Sequence, residues 1–296
     1  MKRIISIGSS VLDTTLPMNE YPIENTKNRI GDKRLINGGG ACNNATYLLG
    51  LWDNDVTFIS TVGNDHDGEF LEEEMKSIGV KTQFCKLNGV PTSASYIITN
   101  LSNSSRTIIT NKSDKLKNNQ EVHVSGDYIL VDGTDYETAL KVFRDNPQAI
   151  KIIDAGRVTE GILTLNKYCD YIVCSNDFAR EYTKRDMDYD NLEDLKSIYD
   201  QIQKDYHGLL IITLEDHGCM VKINNVFHFI PSIKVDSVDT NGAGDIFHGA
   251  FVHFLSLGYF DLLKVLRLSN ITGALSTTVL GTRNAVPDIS EVVGYE

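Results

Sequence analysis

The residues best suited to chemistry lie in the stretch VDTNGAGDIFHGAF, residues 238–251. Gly242, Ala243 and Gly244 run directly into Asp245, and an amphipathic helical pattern follows. Backbone N–H groups at the start of a helix have no partner within the helix, and the helix dipole is positive there, so that an anion is stabilised. Small residues let a phosphate approach the backbone closely. The stretch therefore predicts an anion site at a helix N-terminus.

Asp245 has two possible roles beside these N–H groups. Its carboxylate could cap the helix and satisfy the N–H groups by itself. It could instead act as a general base, because phosphoryl transfer to an alcohol needs an acceptor for the hydroxyl proton. The stretch has neither the P-loop pattern GxxxxGK[ST] nor the spacing GxGxxG. It indicates a phosphate site of another kind, with both roles of Asp245 open.

A second glycine cluster lies near the N-terminus, in GGGACNNATYLLGLW, residues 38–52. Exposed N–H groups of Gly38 and Gly39, together with the Asn43 amide, could hold a polyhydroxylated ligand. Asp13 follows the first apolar run, where a carboxylate can accept hydrogen bonds from two sugar hydroxyls. Glycine turns and strand-end aspartates also have purely structural roles, so these residues alone leave the ligand open.

Other charged residues offer weaker patterns. His248 and His253 are five positions apart, a poor metal spacing on one helix, and are interpreted as packing or surface residues. The acidic run EFLEEEMK, residues 69–76, is typical of a solvated helix face. Arg106 could meet a substrate, a neighbouring subunit or only solvent.

The elements that must position these residues are apolar runs of strand length that alternate with helical patterns. The runs are continuous rather than alternating, as expected for a parallel sheet covered by helices on both faces. Residues 192–206 and 262–279 each carry an apolar stripe at helical spacing. The pattern predicts a doubly wound α/β sandwich that binds ligands beyond the carboxyl ends of its strands. The apolar runs are 3–8, 56–61, 127–133, 151–156, 170–175 and 209–214.

Two segments break this alternation. Residues 14–36 lack a strong helical signal, and residues 91–112 are typical of two strands around a polar turn. Together they could form a small projecting sheet, or they could be surface loops. Because no linker rich in proline or glycine divides the chain, residues 1–296 are predicted to form a single domain with this lid inserted in it.

Composition limits the partners. The net charge of −12, from 28 basic and 40 acidic residues, argues against a nucleic acid or an anionic membrane as the main partner. No run is long enough to span a membrane. The five cysteines include no CxxC pair, and Cys169 and Cys174 are interpreted as buried strand residues rather than metal ligands. A reduced, cytoplasmic protein is expected.

These motifs together resemble a known family. DTNGAGD, residues 239–245, resembles the C-terminal signature DTxGAGD of the ribokinase/PfkB family of carbohydrate kinases, and GGGACN, residues 38–43, resembles the N-terminal turn GGxxxN. TVGNDHDGEFLEEEMKSIGV, residues 61–80, matches the segment that usually follows that turn. The order of the motifs spans nearly the whole chain.

The resemblance implies a ribokinase-like three-layer α/β sandwich with a mostly parallel central sheet and a small β lid. It implies ATP-dependent phosphorylation of a primary hydroxyl of a small sugar, ribose- or ketohexose-like, with Mg²⁺ arriving with ATP. Asp245 would be the general base, and the backbone of Gly242, Ala243 and Gly244 would be the anion hole for the γ-phosphate. The other implied residues are Asp13, Gly38, Gly39 and Asn43 for the sugar, Thr213, Gly218, Asn270 and Gly281 for the nucleotide, and Asp239 and Asn241 for a monovalent cation such as K⁺.

The chain departs from the family at two points. Where the family often carries NxxE, which is linked to phosphate and Mg²⁺ handling, Ser175 and Phe178 stand if the segment is aligned on Ala179 and Thr183. If the motif starts at Asn176 instead, Ala179 stands where the glutamate should be. The glutamate is missing in either alignment, so the way in which Mg²⁺ is held stays open. In TLEDHG, Glu215 stands where many members have glycine.

Three alternatives remain. Tyr96 and Arg106 leave room for a nucleoside kinase or a sugar-phosphate kinase of the same fold, and a catalytically silent sugar or nucleotide sensor is a third reading. The family resemblance also implies a possible homodimer through the lid.

Overall fold

A computed structural model describes residues 1–30, 34–103, 105–258 and 261–295. Its strands are β1 Arg3–Ile7, β2 Val11–Met18, β3 Leu35–Gly39, β4 Asp55–Gly63, β5 Lys81–Leu87, β6 Ala94–Asn100, β7 Ser105–Asn111, β8 Tyr128–Val131, β9 Ile150–Ala155, β10 Tyr171–Cys174, β11 Leu209–Thr213, β12 Cys219–Ile223 and β13 Val226–Ile230. Its α-helices are α1 Ala41–Leu51, α2 His66–Ser77, α3 Tyr136–Asp145, α4 Glu160–Leu165, α5 Asn176–Thr183, α6 Leu192–Gln203, α7 Ala243–Leu257, α8 Leu262–Leu275 and α9 Ile289–Gly294.

The large sheet has nine strands in the order β13-β12-β11-β10-β9-β8-β1-β4-β5. Pairing is parallel from β11 through β5 and antiparallel only at β12 and β13. Apolar side chains on the two faces of the sheet belong to two separate core clusters, one packed with α1, α7 and α8 and the other with α3, α5 and α6. The predicted three-layer α/β sandwich is therefore confirmed.

A second sheet of four strands, in the order β3-β2-β6-β7, is built from the two segments that break the sequence pattern. It begins slightly outside them, at Val11, and β3 ends at Gly39. The register places Asp13 beside Ser95, and Thr99 beside Arg106, on one face. Because neighbouring residues alternate in direction, Tyr96 lies on the opposite face. We call this element the small sheet. Residues 31–33 of the predicted lid and residue 104 of its turn lie outside the described residues.

Helix α7 carries the glycine-rich stretch at its start. Gly242 is the N-cap with φ of 77°, and Gly258, also left-handed, ends the helix. At Gly249 a Cβ atom would lie 2.7 Å from the carbonyl oxygen of Ala45, so glycine lets α7 approach α1 closely. None of the described helices is long and apolar enough to cross a membrane.

The second apolar stripe is longer in the sequence than in the structure. Helix α8 ends at Leu275, a 3₁₀ turn covers Ser276–Thr278, and Val279 is exposed. The prediction that the stripe extends to Val279 is therefore wrong, because the hydroxyls of Ser276, Thr277 and Thr278 bond to carbonyls in the last turn.

Candidate active site

The first turn of α7 presents Asp245 beside the glycine turn. Asp245 is partly buried, and its Oδ2 accepts a hydrogen bond of 2.7 Å from Nδ2 of Asn44 on α1. The residue at the N-cap is Gly242, whose position lacks a side-chain cap. Within the described residues, the Asp245 carboxylate is hydrogen-bonded to a neighbouring helix rather than to the first-turn N–H groups of its own helix.

The N–H groups of this turn are open. Among the described residues, the backbone N–H groups of Gly244 and Asp245 have no hydrogen-bond acceptor, and that of Ala243 makes only a 3.5 Å contact with the Thr240 carbonyl. A Cβ atom added at Gly244 would meet no described atom within 4 Å, so the space beside this residue is open. This arrangement can accept an anion at the positive end of the helix dipole.

Carboxylates converge beneath this turn. Burial raises the pKa of Asp245, while the hydrogen bond from Asn44 and the nearby His248 ring lower it. Burial also raises the pKa of Asp154 to about 7, against the influence of His248. The Nδ1 atom of His248 lies 2.6 Å from the Gly244 carbonyl oxygen and 3.2 Å from Oδ2 of Asp154. His248 is thus a buried packing residue, as predicted, that also links the anion turn to a carboxylate.

Asp13 projects from β2 toward the same region. Burial raises its pKa to about 7, with the Arg283 guanidinium acting against that shift and Asp245 adding to it. Gly39 leaves room for this carboxylate, because a Cβ there would lie 1.9 Å from Oδ2 of Asp13. Asp13 and Asp245 therefore belong to one cluster although they are far apart in the sequence.

Other members of the predicted sugar set make contacts within the protein. The N–H of Gly38 donates to Oε1 of Glu74 at 3.0 Å. Asn43 is fully buried, its Nδ2 donates to Ser10 Oγ at 2.8 Å, and its Oδ1 accepts from Arg283. The Gly38 N–H and the Asn43 side chain are therefore already hydrogen-bonded within the protein.

Arg283 and Glu74 are two residues that the sequence reasoning missed. The expectation of a solvated face for residues 69–76 is wrong at Glu74, which is largely buried and forms an ion pair of 3.0 Å with Arg283. The side chain of Arg283 is 4% exposed and stacks on the Tyr47 ring, 4.1 Å from its centroid. A buried arginine pairs with a carboxylate because an unpaired charge there is costly.

The residues predicted for the nucleotide lie around β11, β13 and α8. Thr213 ends β11, and Gly218 has φ of 102° with no room for a Cβ atom beside the Ile230 carbonyl oxygen. Asn270 Nδ2 donates to that same oxygen at 2.8 Å. Gly218 and Asn270 therefore both lie against the end of β13. Gly281 lies in a different loop, where its N–H donates to Asp239.

The departures from the family pattern are visible in the structure. Ser175 caps α5 by accepting from the Phe178 N–H, and Phe178 is fully buried. Glu215 has the left-handed φ of 54°, and its Oε1 accepts from Nδ2 of Asn176 at 2.9 Å. Its conformation explains why glycine suits this position.

The oxygen atoms of the residues predicted for the cation already accept hydrogen bonds within the protein. Asp239 is buried, with one carboxylate oxygen accepting from the Asn241 N–H and the other from the Gly281 N–H, each at 3.0 Å. The Asn241 carbonyl accepts from Thr282 Oγ1 at 3.2 Å. The described residues contain no cluster of three or more His, Cys, Asp or Glu side chains that could hold a metal ion.

The small sheet reaches the anion turn through Arg106, whose Nη1 donates to Oγ1 of Thr240 at 2.7 Å. Arg106 also lies close enough to lower the pKa of Asp245. The structure thus places Arg106 beside the candidate site.

The fold and this site define an α/β protein with an anion turn, a carboxylate beside it and a small sheet over both. Residues 1–289 match the model of the pfkB family of carbohydrate kinases, and the chain belongs to that family. The family comprises ATP-dependent carbohydrate kinases, so the predicted enzyme class is confirmed.

Individual proteins agree with this assignment over most of their length. The chain is 27% identical to a ribokinase of Lactococcus lactis, with 99% of this chain and 96% of that protein covered. It is 26% identical to a ketohexokinase of Mus musculus, with coverage of 87% and 90%. The structure of an Arabidopsis thaliana ribokinase complexed with ribose and ATP matches with a TM-score of 0.81 at 17% identity, covering 99% and 98%, and this likeness shows the fold.

Proposed function

We propose that this protein transfers the γ-phosphate of ATP to a primary hydroxyl of a small sugar, ribose- or ketohexose-like. The observation that carries the proposal is the Asp245 carboxylate beside N–H groups of Gly244 and Asp245 that have no acceptor among the described residues. A base and a row of free donors are what phosphoryl transfer to an alcohol requires.

Each part of the site has a role in this proposal. Asp13 accepts hydrogen bonds from sugar hydroxyls and orients the sugar over the glycine strand β3. Asp245 accepts the proton of the attacking hydroxyl, and the N–H groups of Gly242–Gly244 receive the γ-phosphate. The small sheet excludes water, so that ATP is not hydrolysed.

The replacement Asp245→Asn tests the role of the base. It keeps the size of the side chain and removes its basicity, and we expect kcat to fall by at least about 10³-fold while sugar affinity changes little. ADP release and calorimetric sugar binding are the two measurements. Asp200→Asn, at an exposed carboxylate on α6, is the matched control. Near-normal turnover in Asp245→Asn would rule out the base role, and sugar binding without ADP release in the unmodified protein would support a silent sensor.

The nearest alternative substrate is a sugar phosphate. Arg106 lies on the same face of the small sheet as Asp13 and could meet an anionic group of the substrate. Tyr96 would have to stack on a nucleobase, but it lies on the opposite face of the small sheet. Tyr96 therefore gives no support to a nucleoside as the substrate. A panel of sugars, sugar phosphates and nucleosides, assayed with and without K⁺, separates these substrates.

Metal ions and location are further parts of the proposal. Mg²⁺ would enter with ATP, and K⁺ would lie near Asp239 and the Asn241 carbonyl. The five cysteines are buried and unpaired, which supports a reducing, cytoplasmic compartment.

A homodimer through the small sheet is also proposed. Its outer face exposes Ile36, Tyr96 and Ile109 in one cross-strand row. Pairing of two such faces would cover this apolar area. The molar mass in solution measures directly whether the dimer forms.

A further inference from the structure

Four side chains from separate parts of the chain form a continuous hydrogen-bonded path that ends on Asp245. Glu74 Oε2 accepts from Nε of Arg283 at 3.1 Å. Nη1 of Arg283 donates to Oδ1 of Asn44 at 3.1 Å. Nδ2 of Asn44 then donates to Oδ2 of Asp245 at 2.7 Å. Arg283 does not itself hydrogen-bond to Asp245 within the described residues.

The chemistry of the two ends dictates how the Asn44 amide is turned. A guanidinium group only donates hydrogen bonds, and an ionised carboxylate only accepts them. The amide satisfies both neighbours only with its oxygen toward Arg283 and its NH₂ group toward Asp245. A turned amide would set its NH₂ group against the guanidinium and its oxygen against the carboxylate.

We propose that Arg283, itself oriented by Glu74, is a positioning residue that fixes the Asn44 amide so that Asp245 is held as an ionised carboxylate ready to accept a proton. This inference rests on the base role given to Asp245 in the proposed function. It adds three residues to that role, and among them only Asn44 touches the base.

The guanidinium of Arg283 is itself firmly held. It forms an ion pair with Glu74, stacks on Tyr47 and donates from Nη2 to Oδ1 of Asn43. A planar group with this many directed contacts has little freedom to rotate, whereas a lysine could not make them together. The Asn44 amide therefore has a rigid reference on one side and the base on the other.

Other charged groups also act on Asp245, from every element packed around it. None of these residues is replaced in the variants described next, but the loss of Arg283 also raises the pKa of Asp13, so the comparison with Asn44→Ala alone carries the assignment. The groups are His248 on α7, Asp132 after β8, Arg106 on β7, Asp154 on β9 and Asp13 on β2.

The test measures the pKa of Asp245 directly by ¹³C NMR of its carboxyl carbon, identified by its loss in Asp245→Asn. Asn44→Ala removes a hydrogen bond to the ionised form, and we expect the pKa of Asp245 to rise by about one unit. Replacing the pair, Glu74→Met with Arg283→Met, leaves the net charge unchanged and frees the amide to turn. We expect a rise of similar size, although neither residue touches Asp245.

The decisive result is the combination of the three replacements. If Arg283 acts through Asn44, the triple variant has the same pKa at Asp245 as Asn44→Ala alone, because the effects of a single path are not additive. Fully additive shifts, or an unchanged pKa in the pair variant, would overturn the proposal. Glu74→Gln, which loosens the guanidinium without removing it, should give a smaller rise, and no rise would likewise count against the path.

A matched control separates positioning from mere loss of stability. Leu48→Ala weakens the packing of α1 at a fully buried residue whose apolar side chain takes no part in the hydrogen-bonded path. We expect a lower unfolding temperature with the pKa of Asp245 unchanged, and an equal pKa shift in this control would contradict the proposal. The NMR measurement needs no turnover. A negative result in the NMR measurement is therefore distinguishable from a negative result in the kinase assay.

Discussion

At the scale of single residues, the site is defined by carboxylates whose pKa values are moved by burial. Asp13, Asp154 and Asp245 all have raised pKa values with burial as the largest cause. A carboxyl group with a pKa close to neutrality changes its charge in the range in which enzymes work. Substrate binding and turnover should therefore respond separately to pH.

Asp13 gives the prediction at this scale. The ionised form accepts hydrogen bonds with both oxygens, whereas protonation turns one of them into a donor, and burial raises the pKa of Asp13 to about 7. Sugar binding to Asp245→Asn, a background in which the base no longer titrates, should weaken from pH 8 to pH 6 by less than about tenfold, because Asp245 contributes to the raised pKa of Asp13. Calorimetry at each pH measures this affinity. Asp13→Asn should bind weakly with no such pH dependence, and a retained dependence would assign the titration to another group.

Much of the site could not be predicted at residue scale. A short motif predicts the anion turn, and the position after the first strand predicts Asp13, because local backbone chemistry is the basis of both predictions. The acidic neighbours of Glu74 predict a solvated helix face for it. Its partner Arg283 lies more than 200 positions away in a loop without regular structure, and no local pattern shows that this loop returns to α2. Asn44 was likewise one polar residue among several on α1.

At the scale of elements, the pattern of apolar runs was sufficient for the main architecture. Six predicted strands correspond to β1, β4, β8, β9, β10 and β11, because continuous burial leaves a continuous apolar run. The two edge strands β5 and β13 and the neighbouring strand β12 are not predicted, since strands with partly exposed residues lack a continuous buried apolar run. Apolar periodicity does not predict where a helix ends, because hydrogen bonds of the residues at the end determine it, as in α8.

Helix α5 gives the prediction at this scale. Its C-cap is Lys184, an exposed residue in the left-handed conformation with φ of 58°. Glycine avoids the steric cost of a Cβ atom there, so Lys184→Gly should raise the free energy of unfolding by about 0.5–1 kcal/mol. Urea denaturation measures the change. Lys184→Ala keeps the Cβ atom and should give no such gain, so equal stabilisation by both would refute the conformational explanation.

At the scale of the whole molecule, α1 and α7 join the site to the core. The ring of His253 on α7 contacts Trp52, 4.9 Å between centroids, and its Nδ1 lies 3.1 Å from Oδ1 of Asn54. Its Nε2 is buried without a hydrogen-bond partner among the described residues. Burial lowers the pKa of His253 to about 4, so the native state resists its protonation.

Acid sensitivity follows from this histidine. Between pH 6.5 and 4 the unfolded chain binds a proton that the folded chain does not, so stability is lost as pH falls, by up to about 3 kcal/mol from this group. Urea unfolding, followed by fluorescence of Trp52, measures it at pH 7.5 and pH 4.5. His253→Gln should flatten the pH dependence, whereas His207→Gln, at an exposed position, should keep it. Equal slopes in both variants would exclude His253 as the source.

The small sheet carries Asp13 on one strand and Arg106 on another, so the residue meant to hold the sugar and the residue that touches Thr240 belong to one hydrogen-bonded element. If the proposed function holds, the sugar and the nucleotide share the free energy of bringing this sheet into place. Whichever ligand arrives first then lowers the cost for the second, and by thermodynamic reciprocity each raises the affinity for the other by the same factor.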